Sequence, residues 1–426
     1  MDTAALEQLG TERISWRHKG FPAAFAGMTV AELVAAKPAL GELSTPLLAL
    51  DASALAHNLA TMAAYCAQHQ VDLAPHGKTT MAPQLFAQQF AAGAWGLTAA
   101  TIAHVRTYRA FGVQTVLLAN ELVDSDALTW LAGELKRDND FRFLCFADSV
   151  VGVRLMQAAL SEADASRPVD VVIDLGAPGG RTGCRDVQEA LEVAAEIHAS
   201  AHLRLVGVGG YEGTLATDRA DASLAKIRCY LHSVRGLTAA LDERGLFDAT
   251  DEILVTAGGS AYFDDVVEIL GGQWELSHPV RTVVRSGAYI THDDGHYREI
   301  TPFSESTSGP NDSFHAALRI YGRVLSQPEP GLALLDFGKR DAPFDLGLPE
   351  PHEVRHADGS ISPATDSTIT ALADQHAFLT IGPQSKVAIG DVVSCGISHP
   401  CTAFDKWQLI PVVDNDQVVD VIRTFF

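Results

Sequence analysis

Cysteine is scarce and scattered in this chain: Cys66, Cys145, Cys184, Cys229, Cys395 and Cys401 are the six, and none stands in CxxC spacing. That pattern argues against a disulfide framework and against the two-pair sites of structural zinc. Long apolar runs are missing too. No stretch approaches the roughly 20 residues that cross a bilayer, so a membrane protein is not expected. The opening MDTAALEQLGTERISWRHKG lacks a basic region followed by an apolar core. A secretory signal is therefore not expected, and the cytoplasm is the expected location. Basic charge is short as well: 31 Lys and Arg stand against 53 Asp and Glu, a formal net charge of −22. Such a balance opposes nucleic acid or anionic membrane as partner, while a local pocket can still take a small anion.

What is present suits an enzyme of ordinary composition, with 47% hydrophobic and 20% charged residues. The 426 residues can build one large α/β domain and a smaller one. Leu47, Leu48 and Leu50 suggest a strand ending at Asp51, after which Leu55, Leu59, Met62 and Cys66 recur at helical spacing. Strand-like runs then alternate with amphipathic helices: VDLAP, WGLTAAT, QTVLLAN, RFLCFAD, VDVVIDLG, LRLVGVGG, EILVTAGG and RTVVRSG. Eight such units are what a closed parallel (β/α)8 TIM barrel requires, whereas an open doubly wound sheet needs no fixed count. After Gly287 short β-rich segments follow, among them AYITHDDGHY, LRIYGRVLSQ, KVAIGDVVSC and QVVDVIRTFF. The expected division is an N-terminal arm and strand over 1–51, joining a mainly β domain at 288–426, with the barrel at 52–287.

Barrel active sites lie on the loops that leave the carboxyl ends of the strands. Lys78, in VDLAPHGKTTMAP, falls just past the first barrel strand, where an amine can attack an aldehyde. An exposed loop lysine is the commoner fate of any single Lys. Other strand ends add to it. In TAGGSAYFD, Gly258, Gly259 and Ser260 precede a helix and can bring backbone N–H groups to a phosphate. In DLGAPGGRTG, Arg181 can bind a phenolate or carboxylate. In GVGGYEG, Tyr211 offers a hydroxyl, or simply packs. Four weak signals share one rim.

Together these residues resemble the alanine racemase-like barrel enzymes that use pyridoxal 5′-phosphate (PLP), within them the D-serine dehydratase and D-threonine aldolase family. The resemblance runs from LALDASALAHN to SHPCTAFDKW. PHGKT is similar to the family's PHxKT and implies that Lys78 carries the cofactor, with His76 beside it. AGGS resembles the phosphate cup, and RSGAYI resembles PGxY, which brings in Tyr289. By position Tyr211 looks like the tyrosine that faces the pyridine nitrogen. GDVVSCGISHPCTAF resembles the C-terminal metal motif, implying His399 and Cys401 as ligands of a divalent ion. Imidazole with thiolate selects Zn2+; carboxylate in the second place suits Mn2+ or Mg2+. Ala74, Thr80 and Met81 depart from the family's usual residues. The resemblance implies a homodimer acting on small D-amino acids. The expected reaction is dehydration of a D-3-hydroxyamino acid, such as D-serine, D-threonine or 3-hydroxyaspartate, to a 2-oxo acid and ammonia. Aldol cleavage to glycine and an aldehyde, with His76 or His376 as base, is the alternative. A racemase and a non-catalytic PLP carrier follow behind.

Overall fold

The computed structural model describes residues 1–304 and 313–426. It divides into two compact units, one of Met62–Lys78 and Gln89–Gly287, the other of Asp2–Thr61, Thr79–Gln88 and Ala288–Phe426. The first strand of the chain, β1 (Leu47–Asp51), belongs to the second unit. The first unit is built on β2 (Asp72–Leu73), β3 (Leu97–Ala99), β4 (Thr115–Glu121), β5 (Arg142–Ala147), β6 (Val169–Leu175), β7 (Leu203–Gly210), β8 (Ile253–Ala257) and β9 (Val280–Val284).

These eight strands pair in the order β2-β9-β8-β7-β6-β5-β4-β3. Backbone hydrogen bonds close the ring beyond that ladder. The Trp95 N–H donates to the Leu73 carbonyl at 2.8 Å and the Thr98 N–H to the Pro75 carbonyl at 2.9 Å, and His76 bridges Thr98 in parallel. The sheet is therefore a barrel. Its strands are largely apolar because both faces are covered; all seven residues of β6 are buried, Asp170 and Asp174 among them. Ala74, Leu117, Leu144, Phe146, Val172, Val206, Leu254 and Val283 fill the interior. Truncating one such leucine to alanine costs about 2–5 kcal/mol. At Gly207 a Cβ would stand 1.9 Å from the Leu254 carbonyl oxygen, so only glycine lets β7 lie against β8 there.

The covering helices follow their apolar spacing. In Val187–His198 the buried residues are Ala190, Val193, Ala194 and Ile197, three and four apart. Asp186 begins that helix by accepting the Glu189 N–H at 2.8 Å.

In the second unit β1 lies between Leu318–Glu329, antiparallel to it, and Leu409–Asp414, parallel to it. The N-terminal strand thus joins the C-terminal sheet. The arm before it packs there too, with Ile14, Leu33 and Leu47 in one cluster with Leu409, Val418 and Val421. One segment differs from expectation. AYITHDDGHY is not a strand but a 3-10 turn, Ala288–Ile290, and a short helix, His296–Ile300. Asp293 starts that helix: its Oδ1 accepts the N–H groups of Gly295 at 3.0 Å and Tyr297 at 2.9 Å, while the Ala288 carbonyl closes the turn by accepting the His292 N–H at 2.7 Å. The side chain takes donors that a strand partner would otherwise need. No helix among the described residues is long and apolar enough to cross a membrane.

Candidate active site

The barrel gathers most of the singled-out residues at the carboxyl ends of its strands. β2 runs into Pro75 and His76, then a 3-10 turn, Gly77–Thr79, that carries a half-buried Lys78. Pro75 lends only its carbonyl, to Thr98, and the His76 N–H donates to the Arg285 carbonyl at 3.2 Å. Neighbouring strands on both sides thus fix the backbone just before the lysine. This is why the segment is built from Pro, His and Gly.

Around His76 the charges are cationic. Burial holds its imidazole well below the usual value, and Lys78, Arg285 and Arg181 push the same way. The ring is neutral, and its enclosed Nδ1 has no hydrogen-bond partner among the described residues. Arg285, at the end of β9, is 2% exposed. It donates to Thr256 Oγ1 and to the Gly210 carbonyl, both at 2.7 Å, while its Nε has no partner among the described residues. Burial lowers the Arg285 pKa, and Glu212, Tyr230 and Asp174 oppose that. Arg181 is exposed on the loop after β6, its guanidinium 5.0 Å from the centre of the Tyr211 ring. The Tyr211 ring lies against Gly259, where an added Cβ would meet it at 2.9 Å.

The turn expected to receive phosphate is Gly258–Gly259, followed by Ser260. The N–H groups of Gly258 and Gly259 do not stand open. They donate to the two carboxylate oxygens of the wholly buried Glu212, at 3.0 and 2.8 Å. Ser260 follows, half-buried, before the helix Phe263–Leu270.

The sequence reading passed over Glu212 and Arg285, although each is a lone charge directly beyond an apolar strand. It also passed over a carboxyl cluster on the same rim. Burial, then the charges of Asp174 and Asp148, push the Glu121 carboxyl up to about 7. Burial raises Asp174 as well.

Tyr289, His399 and Cys401 belong to the second unit. Tyr289 is 3% exposed, its ring 6.1 Å from that of Phe314. His399 has a left-handed backbone, φ 71°, which a non-glycine residue adopts only when held. Asp293 Oδ2 holds it by accepting the His399 N–H at 2.8 Å. His399 Nδ1 lies 2.6 Å from Asp345 Oδ2. Burial lowers the imidazole pKa, but Cys401 and Asp345 outweigh it and raise it to about 9. Cys401 is half-buried, its Sγ 3.4 Å from the hydroxyl of Thr79, the residue after Lys78.

Both cofactors can be tested against these donors. Unpartnered buried nitrogens on His76 and Arg285, in a cationic setting, suit an anionic, hydrogen-bonding guest such as PLP. For a metal, Asp345 on Nδ1 leaves His399 Nε2 as the ligating nitrogen beside the Cys401 thiol. Among the described residues no group of three or more His, Cys, Asp or Glu is arranged to hold an ion. The pair fits a two-ligand, open site, not a closed structural one.

The alanine racemase N-terminal domain model matches residues 50–291, more than half of the chain. That of a serine dehydratase domain matches residues 317–413. D-threonine aldolase of Arthrobacter sp is 26% identical over 384 residues, 90% of this chain and 92% of that protein. For 3-hydroxy-D-aspartate aldolase of Paracoccus denitrificans (strain Pd 1222) the identity is 26% over 329 residues, 76% of this chain and 80% of that one. Among solved structures, D-threonine aldolase from Filomicrobium marinum matches with a TM-score of 0.74 at 23% identity, covering 91% of this chain and 97% of that chain. D-threo-3-hydroxyaspartate dehydratase from Delftia sp. HT23 gives 0.71 at 21%, covering 91% and 99%. A mutant of that dehydratase, cysteine to alanine, is described in a metal-free form. The structural likenesses speak for the fold, and the family model decides membership: the chain belongs to the alanine racemase N-terminal domain family.

Proposed function

We propose that the chain is a PLP- and metal-dependent lyase that dehydrates D-3-hydroxyamino acids, such as D-serine, D-threonine or 3-hydroxyaspartate, to a 2-oxo acid and ammonia. The observation that carries this reading is the imidazole–thiol pair, His399 and Cys401, inside the segment that matches a serine dehydratase domain. Lys78 holds the cofactor aldehyde, and PLP when bound supplies the electron sink at Cα. The free Lys78 amine would take the Cα proton on Nζ. Tyr211 would meet the ring nitrogen, Arg181 a phenolate or carboxylate oxygen, and Ser260, where the Gly258–Gly259 turn ends, the phosphate. Tyr289 is the remaining cofactor-binding residue of this reading. His399 Nε2 and Cys401 Sγ hold the ion, and zinc is the ion that thiolate and imidazole favour. When bound it supplies Lewis acidity at the β-hydroxyl that leaves as water. The working form is a homodimer.

A second reading has its own support, since both curated relatives described above are aldolases. There the β-hydroxyl loses its proton to a base, and Cα–Cβ cleavage gives glycine and an aldehyde. His76, neutral and with Nδ1 unpartnered, is the base in that case. Incubation with D-serine, D-threonine and D-3-hydroxyaspartate, with assays for 2-oxo acid, ammonia, glycine and aldehyde, separates the two. Dehydration predicts 2-oxo acid and ammonia in equal amounts. Glycine with aldehyde overturns it in favour of cleavage.

A further inference from the structure

Glycine-rich turns at helix N-termini usually bind phosphate through open backbone N–H groups. In Gly258–Gly259 every backbone polar group is already engaged. The two N–H groups donate to Glu212 Oε2 and Oε1 at 3.0 and 2.8 Å. The Gly258 carbonyl accepts the Arg285 N–H at 3.1 Å, and the Gly259 carbonyl accepts the Ser286 hydroxyl at 2.8 Å. The turn after β8 is thus held from β7 on one side and β9 on the other. Its glycines are there for shape. Gly258 has φ 95°, and a Cβ on Gly259 would meet the Tyr211 ring at 2.9 Å.

Glu212 is 0% exposed, and each of its carboxylate oxygens takes one N–H. A bidentate grip of this kind fixes where the chain emerges at Ser260. A glutamine there offers one acceptor oxygen and turns an NH2 donor toward the other N–H.

We propose that Glu212 is a positioning residue that clamps the Gly258–Gly259 turn and so sets the chain's preference for the phosphorylated cofactor over its dephosphorylated form. This rests on the PLP reading above. A residue that only supported the barrel would affect both forms alike. One that acts through the cup affects only the form that carries the phosphate.

The test is titration of the cofactor-stripped full chain with PLP and with pyridoxal, for the wild type and Glu212→Gln, with thermal melting recorded alongside. The expected result is PLP affinity weakened about tenfold or more, pyridoxal affinity changed by less than about twofold. If Glu212→Gln shows no melting transition, Ser286→Ala releases the Gly259 carbonyl of the same turn and should show the same selective loss, about threefold. Equal losses for both ligands, or no loss for PLP, overturn the clamp alone. A wild type that binds PLP no tighter than pyridoxal overturns the PLP reading and the clamp with it.

Discussion

His399 owes its position to two carboxylates that lie far from it in the chain. Asp293 holds its backbone N–H from 106 residues away and Asp345 its ring nitrogen from 54. A carboxylate on the non-ligating nitrogen fixes the tautomer and the ring's direction, and its removal typically costs 10–100-fold in metal affinity. Asp345→Asn is therefore expected to lose zinc to a chelator at about 10- to 100-fold lower chelator concentration than the wild type. Unchanged retention would contradict that role. The proposed ligand pair stood out in SHPCTAF only through the resemblance of that segment to a known metal motif. Asp293 and Asp345 did not, because what marks them is a fold that brings distant loops together. Glu212 was hidden differently: GYEG reads as a surface turn, and only its burial shows the carboxylate at work.

At the scale of elements, the eight barrel strands could be read because most are short, largely buried apolar runs followed by helical spacing. The helix His296–Ile300 could not, since Asp293 captures local N–H groups against the apparent strand pattern. The rim carboxyls make a separate prediction. Glu121, pushed up to about 7 from 4.5 by burial and then by Asp174 and Asp148, keeps in the native state a proton that the unfolded chain has given up. Between those two pH values the native state binds more protons, so stability falls as pH rises and stays lower above 7. Glu121→Gln should remove this slope. After discounting for the partial exposure of the side chain, it should stabilise the protein by about 1–2 kcal/mol at pH 8. Denaturant midpoints across pH 4 to 8 check it, and parallel wild-type and variant profiles would count against the retained proton.

For the whole molecule, a net charge of −22 opposes binding to polyanions. β1 shows how far a unit can reach in sequence. It enters the C-terminal sheet between strands that begin at residues 318 and 409, and the loss of register across so long a gap is why strand order had to come from structure. The segment DAPFDLGLPEP leaves Phe344, Leu346 and Leu348 exposed at 46%, 43% and 37%, an apolar run of the kind that association covers. Light scattering is expected to give the mass of a homodimer, shifted toward monomer by Phe344→Asp; a wild type that stays monomeric at all concentrations would contradict this. The most direct test of the central claim needs the intact chain. It is reconstituted with PLP, reduced with borohydride, digested, and the pyridoxyl group is located by mass spectrometry. The account predicts the label on Lys78 and its absence in Lys78→Ala. A label on another lysine, or none in the wild type, would contradict it.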